Sequence, residues 1–193
     1  MPTFPGAGAD DADLVRASQR GDRDAFGVLV SRYASAILGM SSRMLGPGAD
    51  AEDVAQETFV AAFRSLAGFQ SGAKFSTWLY RIAVNKCHDA LRARRPDGLR
   101  IGEDDEGTVE MADDQTPHWE LEQGELASAL ETSISALPAV YRESFVLRHV
   151  EGLDYDEMSE ILGVHRDTLK MRVYKARTLL CRALAPFAVR TKA

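Results

Sequence analysis

Basic side chains are concentrated in the last thirty residues of the chain. Residues 164–193 hold eight lysines and arginines against Asp167 alone, a net charge of +7, although the whole chain carries −6. Local charge, rather than the total, decides whether a surface attracts the phosphates of a nucleic acid. The same segment places Met171 and Tyr174 among its cations, and these side chains suit a DNA groove better than bare solvent. The pattern therefore predicts DNA binding, and the simpler alternative is a solvated basic face.

A short helix followed by a second helix would position these cations. Residues 151–177 read as a helix, a sharp turn at Gly163 and a second helix, the layout of a helix-turn-helix whose second helix enters the major groove. Asp154 with Glu157 three residues later predicts a capping box at the start of the first helix. Apolar residues recur at helical spacing in both helices and should face the core. They are Met158, Ile161 and Leu162, then Leu169, Val173, Ala176 and Leu180.

The opposite face of the second helix carries the candidate DNA contacts. They are His165, Arg166, Asp167, Thr168, Lys170, Met171, Tyr174 and Lys175. Arg166 and Thr168 lie near the helix start, where backbone amides point at anions, and should bond phosphates. The outward side chains that follow are candidates for base edges. Asp167 would repel phosphate unless it meets a cytosine amino group or pairs with Arg166.

A second polar face is predicted on a helix from about Ser76 to Arg95. Trp78, Arg81 and Asn85 share this face, and base stacking on an aromatic ring contributes roughly 1–3 kcal/mol. The simpler alternative is a half-buried tryptophan above a solvated helix end whose arginines favour the dipole. The apolar residues of the helix lie on the other side and make Cys87 a buried small hydrophobe rather than a reactive thiol. They are Leu79, Ile82, Ala83, Cys87, Ala90 and Leu91.

A third helix begins with a cluster of acidic and polar residues. They are Asp50, Glu52, Asp53, Gln56 and Glu57. Acids near an N-terminus stabilise the helix dipole, and that is the simple explanation. Paired carboxylates also suggest a metal site, but no histidine or further acid is placed to complete one. We expect Phe59 and Phe63, further along, to serve the core.

The whole sequence predicts an all-α protein of two small helical domains joined by an acidic linker. The predicted parts are a disordered N-terminal tail over residues 1–12, a helical domain over 13–96, a linker over 97–119, a second helical domain over 120–187 and a tail over 188–193. The stretch 99–125, which overlaps most of this linker, has a net charge of −9. Asp22 should cap a helix in the first domain, and Pro138 fits the first turn of a helix through Val150.

Several functional classes are disfavoured by the sequence. The hydrophobic fraction of 45% and the charged fraction of 27% are ordinary for a globular protein, and no apolar run or leader pattern predicts a membrane or secreted protein. We therefore expect a cytoplasmic protein. Cys87 and Cys181 lack a metal or disulfide spacing, and the histidines form no ligand set. No nucleophile, base and oxyanion donor can be assembled, so an enzyme is the least favoured class, and we expect no metal, cofactor or small-molecule substrate.

Three motifs in this order resemble the extracytoplasmic-function (ECF), or group IV, sigma factors of bacterial RNA polymerase. The family's core-polymerase-binding helix is similar to residues 50–66, DAEDVAQETFVAAFRSL. Its promoter-melting and minus-10-reading helix is similar to residues 75–95, FSTWLYRIAVNKCHDALRARR, and its minus-35-reading domain to residues 137–177. The resemblance covers nearly everything from Asp13 to Leu184. It implies that the two domains are sigma region 2 and sigma region 4, with no catalytic site.

The resemblance also implies roles for the two polar surfaces of region 2, the acidic set near residue 50 and the polar face of the helix 75–95. The acidic set from Asp50 to Glu57 would dock on a basic coiled coil in the clamp of the polymerase's largest subunit, where charge complementarity speeds association. The helix 75–95 and the loop before it would capture the minus-10 element, with a flipped base held near the loop. The residues assigned to this role are Phe69, Lys74, Phe75, Trp78, Arg81, Asn85, Lys86, Arg92, Arg94 and Arg95.

The turn of the helix-turn-helix departs from the usual family pattern. Family members often have Pro, a small residue and Gly before the Thr, whereas this chain has His165, Arg166 and Asp167. Met171 occupies a position where Ser is common. The chain should therefore prefer a minus-35 sequence that differs from the common one.

The resemblance further implies a partner and leaves alternatives open. Family members are usually held inactive by an anti-sigma factor between the two domains, often a membrane protein. The acidic linker would cross the polymerase near the RNA exit path, and the charge of −9 over residues 99–125 gives the hypothesis that it mimics nucleic acid there. One alternative is a helix-turn-helix transcription regulator that acts without core polymerase. Another is an interaction protein that binds an inhibitor or a response regulator.

Overall fold

The computed structural model describes residues 10–46, 51–70, 74–94 and 123–189, with side chains of the last range from Ala127 to Ala185. Every regular element in these ranges is helical, as the sequence predicts. The helices are α1 Asp11–Gln19, α2 Arg23–Leu45, α3 Ala51–Ser65, α4 Phe75–Ala93, α5 Gln123–Ala136, α6 Ala139–Phe145, α7 Tyr155–Leu162 and α8 Arg166–Val189. A 3₁₀ turn, Leu66–Gly68, follows α3, and a π-helical segment, Val146–Val150, continues α6. No helix of the described ranges is long and apolar enough to cross a membrane.

The first four helices pack together, with the long α2 against α1, α3 and α4. Asp22 caps α2 by accepting hydrogen bonds from the backbone amides of Asp24 and Ala25, which confirms its predicted role. The helix ends at Gly46, whose backbone φ of 76° is rarely adopted by residues other than glycine. Leu29 and Ile37 of α2 are fully buried in the core.

The last four helices form the second half, in which α7 and α8 are the helix-turn-helix. The Asp154 carboxylate accepts hydrogen bonds from the backbone amides of Asp156 and Glu157. The Glu157 carboxylate in turn accepts a hydrogen bond from the backbone amide of Asp154 at 2.9 Å, so the predicted capping box is confirmed. Gly163 ends α7 at φ 66°, a left-handed turn, and Ser159 Oγ closes it by donating to the Val164 carbonyl at 2.8 Å. Pro138 stands immediately before α6.

The predicted core faces of this half are confirmed. Leu169, Val173, Ala176 and Leu180 of α8 are buried. In α7, Met158 and Ile161 are buried and Leu162 is half-buried. α8 packs on α5, α6 and α7 through these residues, which leaves its opposite face for another function.

The prediction that Phe63 serves the core is wrong. Its side chain is 46% exposed, although its ring lies edge-on to Phe26 with centroids 5.0 Å apart. Phe59 is half-buried and packs against the core as expected. Helical spacing alone does not separate the centre of an apolar stripe from its margin, and Phe63 lies at the margin beside the exposed Val60.

The two halves are not separate bodies, since their buried apolar residues form one continuous cluster. α4 packs against α7, and α2 packs against α5, α6 and the π-helical segment. The acidic linker of residues 97–119 lies outside the described residues. The packing of the halves on each other was not among the expectations from the sequence.

Thiol labelling should separate the two cysteines. Cys87 is fully buried, and burial raises the pKa of its thiol to about 11, whereas Cys181 is exposed. At pH 8 the folded chain should react with a thiol reagent such as Ellman's reagent at one cysteine only, and at both in denaturant. A Cys181→Ser variant serves as the control, because it should leave the folded chain unreactive. Rapid reaction of both thiols in the folded wild-type chain would contradict the burial of Cys87.

Candidate functional site

The outer face of α8 begins with exposed polar residues. His165, Arg166, Asp167, Thr168 and Lys170 are all exposed. Because α8 rests on three helices through its other face, these side chains project from the protein at the N-terminal turns of the helix. An exposed helix N-terminus flanked by cations is a favourable place for phosphate oxygens.

Salt bridges organise this outer face. Asp167 lies 2.9 Å from Lys170 Nζ, one turn along, and the hydrogen bond from Lys170 lowers the pKa of Asp167. Arg166 pairs instead with Asp156 of α7 at 3.0 Å. Of the two ways considered for Asp167 to avoid repelling phosphate, pairing with Arg166 is therefore not the one observed, and Lys170 supplies the positive charge.

The next turn of the same face is less exposed. Met171, Tyr174 and Lys175 are half-buried, and Lys175 Nζ lies 5.8 Å from the centroid of the Tyr141 ring in α6. The structure thus brings seven of the eight predicted residues onto one surface, six of them in α8 and His165 immediately before it, and turns Lys175 towards α6. Exposure falls along the helix from Thr168 to Lys175.

An aromatic cluster lies at the start of α4. The Trp78 ring stands 5.0 Å from that of Phe69 and 5.7 Å from that of Phe75, measured between centroids. Tyr33 of α2 extends the cluster, with its ring 5.7 Å from that of Phe75. Phe75 is buried, whereas Phe69 and Trp78 are half-buried and offer ring surface to the outside. The segment 71–73 between them lies outside the described residues.

Polar residues continue this surface along α4. Arg81, Asn85 and Arg92 are exposed on the outer side of the helix. Arg92 lies 3.2 Å from Asp89 in the same helix, an exposed pair that contributes little stability. The face therefore combines half-buried rings with exposed hydrogen-bonding groups, which is a suitable surface for unpaired bases and their backbone.

Three further basic residues assigned to this surface have partners elsewhere in the protein. Lys74 pairs with Glu157 of α7 at 2.8 Å, and Lys86 pairs with Glu57 of α3 at 2.8 Å. Arg94 donates to the carbonyl of Leu45 at the end of α2, at 3.3 Å. Arg95 lies outside the described residues.

The acidic face of α3 is exposed to solvent. Glu52, Asp53, Gln56 and Glu57 are exposed, while Asp50 lies outside the described residues. α3 packs on α2, α4 and the 3₁₀ turn through its inner side. The exposed stripe continues into Val60, which is 49% exposed, and Phe63. A partner helix would meet carboxylates at one end of this stripe and apolar side chains at the other.

Sequence reasoning missed a set of polar residues that join the two halves. Helical spacing puts His88 on the polar side of α4 with Arg81 and Asn85, but its Nε2 lies 2.7 Å from Glu143 of α6. Tyr80 of α4 donates to Glu151 at 2.6 Å, and Arg43 of α2 donates to Glu131 of α5 at 3.0 and 3.1 Å. These pairs join residues 55 to 88 positions apart in the chain, so no local sequence pattern predicts them.

Comparison with known proteins identifies the two halves. The family Sigma-70 region 2 matches residues 29–96, and Sigma-70, region 4 matches residues 127–180. The RNA polymerase sigma-H factor of Pseudomonas aeruginosa is 36% identical over 182 residues, which cover 91% of this chain and 94% of that protein. The ECF RNA polymerase sigma factor SigW of Bacillus subtilis is 35% identical, with 88% and 94% covered. The chain belongs to the ECF family of RNA polymerase sigma factors.

A solved structure of similar shape supports this assignment. The structure of CnrH in complex with the cytosolic domain of CnrY matches with a TM-score of 0.68 and 28% identity, covering 91% of this chain and 97% of that chain. The ECF family assignment places α3 and α4 in region 2 and the helix-turn-helix in region 4. The three surfaces described above are thus distributed over both regions.

Proposed function

We propose that this ECF sigma factor binds core RNA polymerase and directs promoter-specific initiation by reading a minus-10 and a minus-35 element. The observation that carries the proposal is the presence of both regions on one chain, each with an exposed face suited to nucleic acid. The face of α4 around Trp78, Arg81 and Asn85 would hold the minus-10 element, and the outer face of α8 would read the minus-35 element. The protein then acts by recognition and has no catalytic residue of its own.

The acidic face of α3 would bind the clamp of the polymerase's largest subunit. Its support is the exposure of Glu52, Asp53, Gln56 and Glu57 on a helix whose inner side is fully used in packing. Carboxylates on an exposed stripe steer association with a basic partner. Val60 and Phe63 would add apolar area to the same contact.

An anti-sigma factor is the proposed regulatory partner. CnrH, whose structure resembles this chain, was solved in complex with the cytosolic domain of CnrY. A partner that binds this sigma factor through a cytosolic domain would meet it in the cytoplasm, and an anti-sigma factor anchored in the membrane would hold it there.

Run-off transcription with purified core polymerase tests the proposal. Core polymerase plus this protein should yield transcripts from defined start sites, selected from a library of genomic promoter fragments, and neither component should do so alone. Duplex binding by the protein alone, with no effect of core polymerase, would favour the helix-turn-helix regulator instead. Failure to initiate at any fragment would show the proposal wrong.

Arg166 provides a test of the minus-35 surface. Arg166→Ala should weaken promoter binding by a similar factor for all minus-35 sequences and lower the slope of log affinity against log salt by about 1, because it removes one phosphate contact. Met171→Ala should instead change which minus-35 sequence is preferred, with the salt slope kept. Fluorescence anisotropy of the reconstituted holoenzyme on promoter variants at several salt concentrations measures both. An Arg182→Ala variant, further along α8 and also exposed, serves as the charge control.

A further inference from the structure

The first turns of α8 hold a carboxylate and an ammonium group side by side on the exposed face. Asp167 and Lys170 lie one helical turn apart, and Lys170 Nζ is 2.9 Å from Asp167 Oδ1. The Asp167 side chain is 73% exposed and that of Lys170 is 52% exposed. An ion pair this exposed contributes little to the free energy of unfolding. Its place on the outer face of α8 therefore calls for a reason other than stability.

The neighbouring side chains leave this pair intact. Arg166 is engaged with α7, its Nη1 lying 3.0 Å from Asp156 Oδ1. His165 lies on the other side of the carboxylate, with its Nδ1 3.8 Å from Asp167 Oδ2 and accepting from the Asp167 backbone amide at 3.4 Å. The hydrogen bond from Lys170 lowers the pKa of Asp167, so the carboxylate is ionised and can only accept.

The spacing of the pair matches the edge of one kind of base pair. The N-terminal residues of the second helix of a helix-turn-helix contact base edges in the major groove. There a carboxylate accepts from the N4 amino group of cytosine, and a lysine donates to O6 and N7 of guanine. Cytosine N4 and guanine O6 are joined by a Watson–Crick hydrogen bond, so they lie about 2.9 Å apart. The carboxylate and ammonium of the ion pair are separated by the same distance.

We propose that Asp167 and Lys170 together read a single C·G base pair of the minus-35 element. Asp167 accepts from cytosine N4, and Lys170 donates to O6 and N7 of the paired guanine, while the ion pair between the two side chains is kept. The inference rests on the proposed function, because it names a base pair read by the outer face of α8. A pair that is already formed loses little conformational freedom on binding, and Lys170 offsets the repulsion between Asp167 and nearby phosphates.

The other base pairs fit the ion pair less well. A C·G pair in the reverse orientation brings guanine O6 to the carboxylate, so that two acceptors face each other. An A·T pair also offers an amino group, but the acceptor joined to it is thymine O4, which stands beside the C5-methyl group. The ammonium of Lys170 would lose hydration against that methyl group, whereas guanine offers it a second acceptor at N7.

Selection from a duplex library tests the assignment. Holoenzyme reconstituted from core polymerase and the full chain is bound to duplexes randomised over the minus-35 and minus-10 segments, and the bound fraction is sequenced. The wild type should favour C·G at one minus-35 position by roughly fivefold to 150-fold over the other base pairs. Asp167→Ala and Lys170→Ala should both lose most of this preference, at the same position, and keep the preferences at other positions.

Modified bases assign the contacts to atoms. In the selected duplex, N4-methylcytosine blocks the amino group that faces the groove, and 7-deazaguanine removes the N7 acceptor. N4-methylcytosine should weaken binding of the wild type roughly fivefold or more and have little effect on Asp167→Ala. 7-Deazaguanine should weaken binding of the wild type and have little effect on Lys170→Ala. A pair with a purely structural role would not respond to either base.

Two control variants remove the same kinds of charge elsewhere. Glu160→Ala removes an exposed carboxylate of α7, and Arg182→Ala removes an exposed cation further along α8. Both should keep the C·G preference of the wild type. Thermal melts of all four variants should lie close to that of the wild type, because the charges removed are exposed.

Three results would overturn the proposal while the holoenzyme still selects its promoter. One is an equal gain in affinity of Asp167→Ala for every minus-35 sequence, which would show only relief of phosphate repulsion. Another is loss of preference at different positions in Asp167→Ala and Lys170→Ala. The third is a preference for A·T at the shared position. Each leaves the proposed function standing, whereas a wild-type holoenzyme that enriches no sequence would contradict the proposed function and this inference together.

Discussion

Replacing Asp53 and Glu57 by lysine should weaken binding to core RNA polymerase roughly a hundredfold and abolish promoter-specific transcription at protein concentrations that saturate the wild type. Affinity of the full chain for minus-35 duplex should be kept, because region 4 is unchanged. Fluorescence titration of labelled protein with core polymerase measures the first effect, and anisotropy on duplex DNA measures the second.

The expected size follows from where the two carboxylates lie. Both are exposed on the outer side of α3, one helical turn apart, so they can approach the same partner surface. Reversing a charge replaces an attraction by a repulsion, and the two changes act on one contact. The effect should appear mainly in the association rate at low salt and become smaller as salt is raised.

Glu57 needs a matched control, since it pairs with Lys86 at 2.8 Å. Lys86→Gln breaks this ion pair without altering the charge of the clamp-binding face. If Lys86→Gln weakened core binding as much as Glu57→Lys, the effect would come from α4 rather than from the clamp contact. Asp13→Lys with Asp24→Lys, in α1 and α2, makes the same net charge change on other exposed residues and should leave core binding within a few-fold of wild type.

Core affinity unchanged by Asp53→Lys and Glu57→Lys would contradict the proposed role of α3. Equal loss of core and minus-35 binding would instead indicate a misfolded chain. A thermal melt of each variant decides between these explanations.

Local sequence signals predicted the helix-turn-helix in detail. The cap of α7 depends on residues three positions apart, and the sharp turn depends on one glycine with a positive φ, so both are determined within a few residues. The buried face of α8 follows from a 3.6-residue period that survives in the fold. Cys87 could be assigned to the core of α4 by the same reasoning.

The contact between the regions could not be predicted in this way. Tyr80 and His88 look like ordinary members of a helical face, and only the position of α6 and α7 gives them partners in Glu151 and Glu143. The same holds for Lys74 and Lys86, which look like free cations in the sequence but form ion pairs with other helices. Long-range pairing depends on how helices pack, and periodicity within one helix carries no information about it.

Trp78→Ala should lower holoenzyme affinity for a single-stranded minus-10 oligonucleotide by roughly fivefold to 150-fold, the equivalent of about 1–3 kcal/mol for one stacked base. The indole packs against Phe69 and Phe75 and keeps part of its surface open, so it is held in place before any base arrives. A ring that is already ordered loses little conformational freedom on binding, which favours affinity. Anisotropy of a labelled oligonucleotide with the reconstituted holoenzyme measures the effect.

The conservative change Trp78→Phe separates stacking from packing. It keeps an aromatic face and should retain most of the affinity, whereas Trp78→Leu fills the cluster with apolar volume but offers no ring, and should behave like Trp78→Ala. Trp119→Ala, which removes the other tryptophan of the chain within the acidic linker, should leave oligonucleotide affinity unchanged. If Trp78→Leu binds as well as Trp78→Phe, the tryptophan serves only to support the start of α4, and the minus-10 base must be held elsewhere on the surface formed with Arg81 and Asn85.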